Sequence, residues 1–304
     1  MEIYLPIAEM SVNIAGILLL GVITGILSGM FGVGGGFLTT PFLMFIGIPP
    51  AVAVASSANQ IVASSFSGFF AHWRRDNVDF RMGILLLEGG MVGSSAGVWL
   101  FTVLKKLGQI DLTISLLYVT LLSSIGVMMA VESFRSLRQV QEQLMIPAAV
   151  TRFPFLGRLP MMTEFPRSKL RISALLPLGI GFISGVLVSL LGVGGGFFMI
   201  PAMIYVLGMP TSIVIGTSLF QIIFITANVT FLQAVTTHTV DILLAVLLLS
   251  GSVVGAQMGT RLGARLPAAK LRAMLALLVL AIALKLAYGL FARPHDIYSV
   301  TVGT

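Results

Sequence analysis

The sequence contains no cysteine, which removes disulfides, thiolate nucleophiles, iron–sulfur clusters and cysteine-bound zinc from consideration. It is also short of charge. Asp, Glu, Lys and Arg make up 10% of the 304 residues, against about a quarter in an ordinary soluble domain. None of the four occurs between Met10 and Trp73, or between Ile172 and Val240. At about 20 apolar residues per spanning helix, each of these tracts is long enough for two or three membrane segments. With 57% hydrophobic residues and a mean hydropathy of +1.04, the chain reads as an all-α, multi-pass membrane protein. Its first residues, MEIYLPIAEMSVN, carry two Glu and no Lys or Arg. That is the wrong flank for a secretory signal, so the first apolar stretch is expected to be retained. The net charge of +7 does not point to nucleic acid, because the Lys and Arg sit between apolar tracts, where they set topology and touch anionic lipid.

What is present is a duplication. Gly32 to Phe37 and Gly192 to Phe197 both read GVGGGF, and a proline follows each, Pro41 and Pro201. The register continues. Gly47-Ile48-Pro49 answers Gly208-Met209-Pro210, Ser56-Ser57-Ala58-Asn59-Gln60 answers Thr217-Ser218-Leu219-Phe220-Gln221, Asn77-Val78-Asp79 answers Thr239-Val240-Asp241, and Gly93 and Gly97 answer Gly255 and Gly259. The chain therefore divides into a first transmembrane repeat over 1–131, a basic connector over 132–170 and a second transmembrane repeat over 171–304. Apolar stretches fall at about 11–31, 37–47, 50–71, 82–104 and 112–131, and again at about 172–191, 197–207, 211–234, 242–260 and 271–291. The element after each GVGGG is too short to span unaided and reads as a half-helix. Eight to ten membrane helices result.

Basic residues orient the chain. Residues 132–171 hold seven Lys or Arg against three Glu, and Arg261 to Arg272 adds four without an acid. Both regions belong on the cytoplasmic side if each repeat makes five crossings. An odd count turns the second repeat upside down, the inverted arrangement common in secondary transporters. It leaves Lys105 and Lys106 outside. The competing count, with re-entrant short elements, gives eight spans and parallel repeats but separates the two basic clusters.

Three consecutive glycines in an apolar tract should break a helix, at roughly 1 kcal/mol per Gly relative to Ala. Broken backbone in a bilayer must be buried in protein or line a cavity. A break that leads into a new helix offers free N–H groups and a positive dipole end, which attract anions without any side chain. The candidate substrate contacts are therefore Gly34, Gly35, Gly36, Gly194, Gly195 and Gly196, with Ser57, Asn59, Gln60, Thr217, Ser218 and Gln221 supplying neutral donors from neighbouring apolar helices. Neutral donors can replace an oxyanion's water without holding it too tightly to release. The alternative is that glycines and hydroxyls only pack helices together. Phe37 and Phe197 stand where a P-loop needs Lys and where a dinucleotide fingerprint needs its third Gly, so neither phosphate motif applies. Glu88 could bind a proton or cation, Lys285 can snorkel to its helix end, and His72, His238 and His295 read as loop residues. No nucleophile, base and acid assemble and no metal-ligand spacing occurs, so neither an enzyme nor a cofactor is expected.

At these motifs the chain resembles the TauE/SafE family of sulfite exporters, the TSUP permeases, over nearly its whole length. The resemblance implies outward transport of sulfite, an organosulfonate or another small sulfur-containing anion across the bacterial cytoplasmic membrane, with the lipid bilayer as the other partner. Two rival readings are proton- or sodium-coupled uptake of thiosulfate, and a structural or signalling subunit whose connector recruits a partner. Oligomeric state is not legible. With five crossings per repeat, a reporter fused after residue 150 and one at the C terminus should lie on opposite sides of the membrane; finding both on one side would favour parallel repeats.

Overall fold

The computed structural model describes residues 2–31, 36–138, 161–168, 170–263 and 268–291. It opens with a hairpin of β1 (Glu2–Leu5) and β2 (Met10–Asn13), followed by α1 (Ile14–Phe31), α2 (Gly36–Phe45), α3 (Pro50–Trp73), α4 (Phe80–Lys106) and α5 (Ile110–Arg138). A second hairpin, β3 (Met162–Phe165) and β4 (Leu170–Ser173), leads into α6 (Leu175–Leu191) and the short α7 (Gly196–Pro201), which runs on as a π-helical turn over Ala202–Leu207. Then come α8 (Thr211–Thr236), α9 (Ile242–Gly263) and α10 (Ala268–Phe291). Stretches within α4, α5, α8, α9 and α10 are long and apolar enough to cross a membrane, and the shorter α1, α2, α6 and α7 are apolar too. The serines and amides of α3 dilute its hydropathy although its length suffices.

The helix boundaries fall close to those read from the apolar stretches, but the expectation of a wholly α-helical chain needs correcting. Met10–Asn13 and Leu170–Ser173 are strands, not helix starts. Each pairs antiparallel with its neighbour, Glu2 opposite Asn13 and Met162 opposite Ser173. Their burial alternates, as a half-exposed strand requires. Pro6 and Glu9, the latter at φ +52, turn the first hairpin, and the Asn13 side chain caps α1 by accepting the Ala15 N–H at 3.0 Å. The expected connector is helical as far as Arg138, and its last residues belong to the second hairpin; residues 139–160 lie outside the described part.

The dominant packing joins helices that precede residue 139 to helices that follow residue 160: α1 on α9, α4 on α6, α5 on α10 and α3 on α8. Two of these contacts are built on glycine. A Cβ on Gly89 or Gly93 of α4 would collide with the carbonyls of Leu178 and Phe182 on α6, and one on Gly255 or Gly259 of α9 with those of Val22 and Ile26 on α1. Small residues four apart let backbones touch, which matters in lipid because burying apolar side chains there gains little. The two hairpins cap separate clusters. Leu5 and Val12 of the first pack with Leu43, Val52 and Leu244, at the end of α2 and the starts of α3 and α9. Phe165 and Ile172 of the second pack with Met82, Leu207 and Val214, at the starts of α4 and α8 and the end of the α7 turn. Helix α3 runs from the first cluster to the turn that begins α4, about 36 Å for 24 residues. The hairpins therefore lie at opposite ends of α3, and α8 runs the other way beside it.

Leucine at Gly93 or Gly255 is expected to cost about 1–3 kcal/mol through overpacking and to lower the apparent melting temperature in detergent. Alanine at Gly179 or Gly289, where nothing lies within 4 Å of an added Cβ, should leave it unchanged.

Candidate functional site

The second glycine break is set by backbone conformation. Gly192, Gly194 and Gly195 have φ of +63, +73 and +71, in the left-handed region where only glycine sits without strain. Gly192 ends α6 by donating to the Val188 carbonyl at 2.8 Å, and the Gly195 carbonyl starts α7 by accepting the Met199 N–H at 2.7 Å. In the first break, Gly34 and Gly35 lie outside the described residues and Gly36 opens α2, buried. A Cβ on Gly36 would collide with Ile61 of α3 and approach the Gly192 carbonyl oxygen to 2.7 Å, and one on Gly194 would meet the same Ile61 at 2.7 Å. The next residues, Phe37 and Phe197, stack with centroids 4.7 Å apart and planes 7° from parallel. Gly36 and Phe37, far from the second break in sequence, meet it in space.

The polar residues around them separate into two groups. Ser56, Ser57, Thr217 and Ser218 have partners. Ser57 Oγ lies 2.7 Å from Thr40 Oγ1 and 3.0 Å from the Val54 carbonyl, and Ser218 donates to the Ile215 carbonyl at 2.9 Å. Thr217 Oγ1 accepts the Asp79 amide N–H at 2.9 Å, and Ser56 Oγ accepts that of Asp241 at 3.1 Å. The amides are left with unpartnered atoms. Among the described residues, Asn59 Nδ2, Gln60 Oε1 and both polar atoms of the Gln221 side chain are buried without a hydrogen bond. Gln60 and Gln221 are 1% and 0% exposed. An unsatisfied buried polar group costs about 1–3 kcal/mol, and native structures keep few of them. Each glutamine is the chain neighbour of a residue that touches a break: Gln60 precedes Ile61, which packs against Gly36 and Gly194, and Gln221 precedes Ile222, which faces Gly195.

Sequence reading missed several residues of this region. Ser184 Oγ is buried and unpartnered, 2.7 Å from where a Cβ on Gly195 would lie. Its repeat counterpart is Thr24, likewise fully buried, so the duplication held the signal. The Tyr118 hydroxyl of α5 donates to the Leu191 carbonyl, the last of α6, and Gln233 Nε2 donates to the Ser189 carbonyl at 3.0 Å. Both hold the end of α6 against the other helices.

Asp79 and Asp241, used above only to align the repeats, form a reciprocal clamp. Asp79 Oδ1 caps α4 by accepting the Met82 N–H at 3.2 Å, while Oδ2 accepts the N–H and hydroxyl of Ser168 in the second hairpin, at 3.1 and 2.6 Å. Asp241 caps α9 through the Leu244 N–H at 3.1 Å and accepts the Ile7 N–H of the first hairpin at 3.2 Å. Other expectations fall away from the breaks. Glu88 is exposed on α4. Lys285 Nζ lies 4.0 Å from the Phe45 ring centroid. His72 sits in the last turn of α3, not in a loop, His238 follows α8 at φ +50, and His295 lies outside the described residues.

A family model described as "Sulfite exporter TauE/SafE" matches residues 17–286. The chain belongs to this family. Among its relatives is the "Probable membrane transporter protein YjnA" of Bacillus subtilis (strain 168), 29% identical over 242 residues, 79% of this chain and 86% of the relative. Another is the "Probable membrane transporter protein YunE" of the same strain, 25% identical over 247 residues, with 79% and 84% covered. A "Probable membrane transporter protein" of Xylella fastidiosa (strain 9a5c) is 25% identical over 204 residues, with 66% and 67% covered. No solved structure matches. As a TauE/SafE member with several apolar helices, the chain is a multi-pass membrane transporter of a small molecule.

Removing either clamp should loosen only the hairpin it holds. Asp79→Ala is expected to raise hydrogen exchange across 162–173 and leave 2–13 unchanged, Asp241→Ala the reverse, each with a loss of about 1–3 kcal/mol; mass spectrometry of the exchanged protein distinguishes the two.

Proposed function

We propose that this transporter carries a small sulfur-containing oxyanion, sulfite or an organosulfonate, outward across the bacterial cytoplasmic membrane by alternating access between two inverted halves. The observation that carries the reading is the pairing of two fully buried glutamines with unpartnered amide atoms, Gln60 and Gln221, with the contact of Gly36 and Phe37 against the second glycine break. Gln221 Nε2 and Asn59 Nδ2 bring unpartnered N–H donors that an oxyanion completes, and Gln60 adds a second buried amide at the matching repeat position. Among the described residues no Lys or Arg stands at the site to trap the anion. The start of α2, ten residues long, adds backbone donors and the positive end of a helix dipole. Gly34, Gly35, Gly36, Gly194, Gly195 and Gly196 shape the breaks, with Asn59 and Ser184 as further donors. Ser57, Thr217 and Ser218 hold neighbouring backbone and contribute by position.

Inversion is supported by the opposed runs of α3 and α8, by the hairpins at opposite ends of α3, and by the reciprocal clamps of Asp79 and Asp241. Arg74, Arg75, Arg81 and Arg167 gather at the end that carries the second hairpin, which makes that end cytoplasmic under the positive-inside rule. Export needs no coupling ion, because an inside-negative potential supplies about 2.3 kcal/mol per charge per 100 mV to an anion leaving the cell.

Flux of sulfite, an organosulfonate, thiosulfate and chloride in proteoliposomes under set voltage and pH tests the reading. Sulfite or sulfonate flux should rise with voltage and fall by about two orders of magnitude in Gln60→Leu with Gln221→Leu, for two lost hydrogen bonds at about 1.5 kcal/mol each. Wild-type flux from a double variant that inserts normally would refute the site.

A further inference from the structure

We propose that the end of the bundle at Trp73 is a binding surface for anionic phospholipid headgroups. Where α3 ends and α4 begins, aromatic rings form one contiguous cluster. Trp73 stacks on Phe69 at 5.6 Å, meets Phe80 edge-on at 6.1 Å, and Phe69 reaches Phe220 of α8 at 5.7 Å. The cluster is open on its outer side, with Phe66 53% and Trp73 47% exposed. Rings of this kind settle at the membrane–water boundary, apolar faces toward the acyl chains.

Three exposed arginines, Arg74, Arg75 and Arg81, flank the rings. Among the described residues none of the three has an ion-pair partner, and the nearby acids are already engaged: Asp76 is bound by Arg167 at 2.9 Å and Asp79 by Ser168. The cations are therefore free to meet phosphate oxygens from outside. Arg74 and Arg75 are also fixed in place, their N–H groups donating to the Phe70 and His72 carbonyls at 3.1 Å within a tight turn.

The repeat supplies an internal control. The register that pairs Gln60 with Gln221 and Asp79 with Asp241 sets Phe66, Phe69, Trp73, Phe80 and Phe220 against Ala227, Thr230, Ala234, Ile242 and Asn59, and Arg74, Arg75 and Arg81 against Val235, Thr236 and Leu243. The fold thus builds the same helix junction with small and neutral residues at its other end. At that other junction the nearby cation is already engaged, Lys105 Nζ donating to the Thr237 carbonyl at 2.6 Å. Three unpaired arginines beside a contiguous ring cluster mark the Trp73 end, and charge complementarity selects an anionic headgroup.

Trp73 reports on this directly, since the chain has only two tryptophans and Trp99 is 69% exposed on a distant part of α4. In a Trp99→Phe protein reconstituted in phosphatidylcholine vesicles doped with brominated phosphatidylglycerol or brominated phosphatidylcholine, Trp73 emission should be quenched by the anionic lipid with a preference of about tenfold. The preference should vanish in Arg74→Gln/Arg75→Gln/Arg81→Gln and persist when all three are lysine. Equal quenching by both lipids overturns the proposal. So does absence of quenching by either, which would mean that a second copy of the chain covers the surface, and so does displacement of the lipid by inorganic phosphate, which would make it a free-anion site. The readout does not depend on transport and stands apart from the substrate assignment.

Discussion

Backbone contact between glycine columns carries this architecture. In a bilayer, apolar side chains gain little by leaving lipid for protein, so helices associate through close packing and hydrogen bonds. The columns at Gly89 and Gly93, and at Gly255 and Gly259, bring α4 onto α6 and α9 onto α1 at backbone distance. The clamped helices are the two that end at the glycine breaks. Each broken helix is thus held along its length by an unbroken helix from the other part of the sequence, and its free end is left to be satisfied by what surrounds it.

Those surroundings explain why a costly break survives in a membrane. The end of α6 is tied by Tyr118, Ser57 and Gln233 to α5, α3 and α8, and Phe37 closes over Phe197. Irregular backbone is then enclosed by protein, the condition under which a bilayer tolerates it. The aspartate clamps work at the two ends of the bundle, each joining a helix start to a hairpin from the other half. Among the described residues, what remains unsatisfied near the breaks includes atoms of Asn59, Gln60, Ser184 and Gln221.

The helices were legible because their signal is local: long charge-free runs bounded by Pro, Gly and Asp. The hairpins were not. Glu2–Leu5 and Met162–Phe165 are four-residue strands that share almost no residues across the repeat, and their apolar positions merged with the helices that follow. A strand this short is stabilised by its partner and by the cluster it caps, neither of which shows in a window of sequence. The partners of the hydroxyls were not legible for a related reason. Thr217 reads from the sequence as a donor in an apolar helix, and in the fold its oxygen also accepts the Asp79 amide N–H, a partner from a distant segment.

The sequence by itself determined that the chain lives in a bilayer and that the GVGGGF element occurs twice, at matching places in two apolar tracts, because composition and repetition are properties of the string. Only the tertiary structure decided which polar groups are spent on holding the fold and which are left without a partner. That division depends on what stands opposite each group, and here what stands opposite comes, in case after case, from the other half of the chain.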